Sequence, residues 1–85
     1  MSQKEKLIKR ILKLPKDFTY AELVSLLLQL GFKESNRGKT SGSRVSFYHP
    51  ERKIQYLAHK PHPSNTIKEI ALKDIVSFLQ ANNLI

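Results

Sequence analysis

Residues 18–32 are the most restrictive stretch of the chain. Thr19-Tyr20-Ala21-Glu22 spells a capping box. In that motif the threonine hydroxyl accepts from the amide three residues on, and the glutamate reaches back to the cap amide. Phe18 and Leu23 occupy the two positions of a hydrophobic staple around it. Leu23, Val24, Leu26, Leu27, Leu28 and Leu30 then give a broad apolar face, which predicts a mostly buried helix. Gly31 supplies the left-handed residue just past its end, and Phe32 is placed to fold back onto Leu27 in a Schellman motif. These residues predict scaffold and no chemistry.

The remaining elements must cover that helix within 85 residues, which is room for one domain, expected over 1–85. Upstream, Leu7, Ile8, Ile11, Leu12 and Leu14 recur among lysines and predict an amphipathic helix from about Gln3 to Leu14, ended by Pro15. Three strands are expected next. Lys33 to Arg37 is a short first strand, followed by a polar loop, Gly38 to Gly42. In Ser43 to His49, Val45 and Phe47 point one way and Arg44, Ser46 and Tyr48 the other. His49-Pro50-Glu51-Arg52 signals a turn, and Ile54 to His59 is the third strand. The register that buries Ile54 and Tyr56 together sets His49 opposite Ile54, Phe47 opposite Tyr56, Val45 opposite Ala58 and Arg44 opposite His59. A slip of one residue would turn Leu57 inward instead. Two prolines hold the stretch from His59 to Pro63 extended. Thr66-Ile67-Lys68-Glu69 is a second capping-box match, so the last helix is expected to begin near Ser64 to Thr66. Ile67, Ile70, Ala71, Ile75, Phe78 and Leu79 would line its buried face, and Asn82 and Asn83 would end it.

The predicted fold class is therefore α+β, a three-stranded antiparallel sheet packed on helices in the order α-α-β-β-β-α. Helices on one face leave the other open, displaying Arg44, Ser46, Tyr48, Gln55 and His59.

Charge points to the partner. The net formal charge is +8, and it is unevenly distributed. Residues 1–16 hold six Lys or Arg against one acidic residue, and residues 33–62 hold seven against two. A basic excess of this kind reads as a polyanion footprint, foremost nucleic acid. The absence of cysteine excludes a disulfide scaffold, thiolate zinc ligation and thiol catalysis. No apolar run reaches a membrane span and no signal peptide opens the chain, so a cytoplasmic protein without membrane association is expected. No phosphate-binding loop, dinucleotide fingerprint or nucleophile elbow is present.

Phe18-Thr19-Tyr20-Ala21-Glu22-Leu23, Leu30-Gly31-Phe32, Gly42-Ser43 opening a strand, and His59 together resemble the HicA-type toxins, over about residues 5–82. The resemblance implies a double-stranded-RNA-binding-like fold for residues 16–85, with residues 1–15 as an additional N-terminal helix. It also implies an mRNA interferase neutralised by a HicB-like antitoxin. The family's usual motif is Gly-Ser-His, with the histidine catalytic. Here it reads Gly42-Ser43-Arg44. Arginine stays protonated and is no general base at neutral pH, but it can bind phosphate.

Cleavage through the ribose 2′-hydroxyl needs a base, an acid and charge stabilisation. His59, facing Arg44, is the first candidate for base or acid, and His62 is its candidate partner. His49, at the hairpin end, reads as a turn or core residue. Lys39, Ser43, Arg44, Tyr48 and Lys60 are the candidate RNA or phosphate contacts. His59 and His62 are three apart in a proline-bound stretch with no carboxylate close in sequence, so neither a metal nor any other cofactor is expected. Two alternatives stand beside the toxin reading: an RNA-binding module without nuclease activity, and an inactive family member that only binds its antitoxin.

Overall fold

The computed structural model describes residues 3–34, 44–59, 61 and 65–85, with Arg44 described at its backbone. Three helices, α1 (Gln3–Leu12), α2 (Tyr20–Gln29) and α3 (Glu69–Ala81), accompany three strands, β1 (Lys33–Glu34), β2 (Arg44–His49) and β3 (Ile54–His59). The strands form one antiparallel sheet in the order β1-β2-β3. The fold is α+β with the element order α-α-β-β-β-α, as expected. The expected continuation of β1 to Arg37, the Gly38–Gly42 loop and the strand start at Ser43 lie outside the described residues.

The α2 signals translate directly into geometry. Thr19 Oγ1 accepts from the Glu22 amide at 3.1 Å, and Glu22 Oε1 accepts from the Thr19 amide at 3.0 Å. At the far end Gly31 has φ +108°, the Phe32 amide donates to the Leu27 carbonyl at 3.0 Å, and the Gly31 amide donates to the Leu28 carbonyl at 3.2 Å. Those are the two bonds of a Schellman end. Phe18, Leu23, Leu26, Leu27 and Phe32 are all buried.

The hairpin takes the expected register. His49 pairs with Ile54, Phe47 with Tyr56, Val45 with Ala58 and Arg44 with His59. Val45, Phe47 and Ala58 are buried, while Tyr48 and Leu57 are exposed on the opposite face. The core therefore lies between one face of the sheet and the helices, and it includes Leu7 and Ile11 of α1 and Leu72, Ile75 and Leu79 of α3.

Two boundaries differ from the sequence-based expectation. Helix α1 stops at Leu12, two residues early, because Leu14 must leave the right-handed region ahead of Pro15; it does so at φ 51°. Helix α3 starts at Glu69, with Lys68 as its cap and no side-chain capping hydrogen bond. Thr66 instead forms an isolated antiparallel bridge with Thr19. The Tyr20 amide donates to the Asn65 carbonyl at 2.9 Å, and the Ile67 amide donates to the Phe18 carbonyl at 2.8 Å. This pairing holds residues 65–67 extended, so Thr66 cannot serve as a helix cap. The later start resets the buried face to Leu72, Ile75 and Leu79, and leaves Ile70 83% exposed and Ala71 exposed.

Arg10 fastens α1 to the rest. Its guanidinium donates to both Glu22 oxygens, Nε at 2.6 Å and Nη2 at 3.2 Å, and Nη2 reaches the Asp17 carbonyl and carboxylate, each at 3.1 Å. The guanidinium also sits 5.7 Å from the Phe18 ring centre. The hydrogen bond from Arg10, aided by those from Thr19, holds the Glu22 carboxyl below its ordinary range.

Candidate functional site

The open face of the sheet carries the described part of the predicted site. Antiparallel partners sit about 4.5–5.5 Å apart at Cα, so the register alone sets Arg44 and His59 side by side at one end of the hairpin. His59 is exposed. Tyr48 is also exposed, farther along β2, across from Gln55. The Gln55 amide donates to Ser46 Oγ at 2.6 Å, which fixes the polar middle of the face. Lys39, Ser43, Lys60 and His62 lie outside the described residues, as does the Arg44 side chain.

His49 is a core residue. It is 4% exposed. The Arg52 amide donates to Nδ1 at 3.2 Å, so Nδ1 carries a lone pair, and Nε2 lies 3.0 Å from the Leu30 carbonyl, which requires a proton on Nε2. The ring stands edge-on to Phe32, with centres 5.1 Å apart. Both nitrogens are occupied by the fold, which removes His49 from acid–base work.

The structure adds three residues that the sequence pattern did not single out. Lys33 of β1 pairs with Tyr48 and brings a cation onto the open face. Leu57, 52% exposed, is an apolar spot between Gln55 and His59 on the same face. Asp74 of α3 lines a depression of about 220 Å³ together with Tyr56, Leu57 and His59. Lys33 and Leu57 follow from extending the strand alternation to β1 and β3; Asp74 depends on how α3 packs, for which no local signal exists.

Tyr56 forms part of the wall of this depression, its ring 4.8 Å from that of Phe78. Burial, and secondarily the Asp74 carboxylate, push its phenol up to about 12. The native state thus favours the neutral phenol. That contribution is complete below the ordinary tyrosine value of about 10 and is lost as pH rises through the shifted value. Stability against urea is expected to fall between about pH 10 and pH 12, and Tyr56→Phe is expected to make that fall shallower.

Among the described residues no helix is long and apolar enough to cross a membrane. A family model described as the HicA toxin of bacterial toxin–antitoxin systems matches residues 20–82, well over half the chain. No curated protein and no solved structure matches it.

Proposed function

The chain belongs to the HicA family of bacterial toxin–antitoxin toxins, and on that premise we propose that it binds mRNA in the cytoplasm and cleaves it without a metal, until a HicB-like antitoxin covers the open sheet face. The pairing of Arg44 with His59 is the observation that carries this reading. A fixed cation and a titratable imidazole at adjacent positions meet two of the needs of 2′-hydroxyl chemistry.

His59 would take the 2′-hydroxyl proton as that oxygen attacks the neighbouring phosphorus. The bond to the 5′-oxygen then breaks, leaving a cyclic phosphate on one fragment and a 5′-hydroxyl on the other. His62, protonated, would donate its own proton to the departing oxygen. Arg44, Lys39 and Lys60 would hold the phosphate through the charged transition state, Ser43 would contact the backbone, and Tyr48 would stack on a base.

Arg44, standing where the family's motif has histidine, favours a second reading: RNA binding without cleavage. A third is a family member that only engages its antitoxin. Expression of the wild-type chain separates them. Growth arrest with loss of intact mRNA is the expected result. RNA bound but uncut supports the second reading, and a chain that neither arrests growth nor touches RNA leaves only the third.

A further inference from the structure

We propose that α1, which lies outside the residues matching the family, is a second anchor for RNA, gripping backbone phosphates away from the sheet. This rests on the RNA reading above. Lys6, Lys9 and Lys13 are exposed and, with Arg10 and Pro15, line a shallow depression of about 390 Å³. Lys6 and Lys9, three residues apart, share one side of α1, and Lys13 follows in the turn just past its end. Three separated cations on and just past the helix suit a strand that carries charge at regular intervals.

Other partners fit this surface less well. A bilayer would need the apolar stripe of α1, but Leu7 is only 7% exposed and Ile11 is fully buried in the protein's own core, which leaves Leu12, 45% exposed, as the large apolar side chain α1 offers outward. A protein partner would be expected to meet aromatic side chains and few lysines. This depression has three lysines and no aromatic residue. Arg10, although it lines the same depression, is held by Glu22 and Asp17 and serves as scaffold. Lys6, Lys9 and Lys13 are the charges assigned to the RNA.

The test is the salt dependence of binding to a labelled single-stranded RNA, between about 50 and 200 mM salt. It compares the wild-type chain with Lys6→Gln/Lys9→Gln/Lys13→Gln, and RNA cleavage is read in parallel. Each lost phosphate contact on a single strand lowers the slope of log affinity against log salt by about 0.7, so the triple variant is expected to lose about 2. Arg10 is left in place, and unchanged circular dichroism checks the fold. If the wild type binds RNA without cutting it and the triple variant still loses slope, the nuclease reading falls and the α1 anchor stands. If the wild type cuts RNA and the triple variant keeps its full slope, the α1 anchor falls and the nuclease reading stands. A triple variant that keeps its slope on RNA but loses capture of the antitoxin assigns the surface to the protein partner and overturns the proposal.

Discussion

His59→Ala is expected to lower RNA cleavage by about 10²–10⁴-fold, the range associated with removing a general acid or base. The fold should survive it. His59 is exposed at the end of β3, and among the described residues no hydrogen bond or ion pair involves its imidazole. Surface substitutions of this kind usually stay within about 0.5 kcal/mol. RNA binding should persist, because the phosphate contacts assigned to Arg44, Lys39 and Lys60 remain. Expression of the variant should therefore leave growth and mRNA intact while the purified protein still binds RNA. Toxicity equal to wild type would remove His59 from the mechanism. His49→Ala is no substitute for this experiment: that ring is buried between the Leu30 carbonyl and the Arg52 amide, so its loss damages structure first.

Gly31→Ala is expected to have the largest effect on stability. Gly31 has φ +108°, a region that L-residues rarely occupy. A methyl group there would also lie 2.6 Å from His49 Nε2 and 3.2–3.3 Å from two of its ring carbons. The imidazole cannot step aside freely, because Nε2 is bonded to the Leu30 carbonyl inside the core. Backbone strain costs about 1–2 kcal/mol, and a broken buried hydrogen bond about 1–3 kcal/mol more. A loss on the order of 3 kcal/mol would lower the melting temperature by roughly 12–24 °C in a domain of this size. Urea unfolding should show a lower midpoint with an unchanged slope. A midpoint close to wild type would mean that neither the strain nor the clash is real.

The elements that were legible in the amino-acid pattern are those whose cause is local. Helix α2 carries its start and stop within residues 18–32, and each of those signals became a hydrogen bond. The β2–β3 register was legible because Pro50 and its neighbours set the turn, and because one alternation had to bury Phe47 with Tyr56. That same register sets Arg44 opposite His59. Helix α3 misled for the opposite reason. Thr66 carries a sound local capping motif, but Thr19, distant in sequence, claims that backbone for a bridge. Asp74 was hidden likewise, since its place in the wall of the depression with Tyr56 depends on how α3 packs.

The bridge between Thr19 and Thr66 has a further consequence for how the molecule can change. Residues 18–20 and 65–67 clasp each other on either side of everything from β1 to β3. The sheet is thus an excursion from a frame that closes behind it, with α2 and α3 attached to the two halves of the clasp. Side chains on the outward face of that excursion are not required for closure. A lineage could rewrite them, the residue paired with His59 included, and still inherit an intact frame. Such a chain can change what its open face recognises by substitutions that leave its stability nearly untouched.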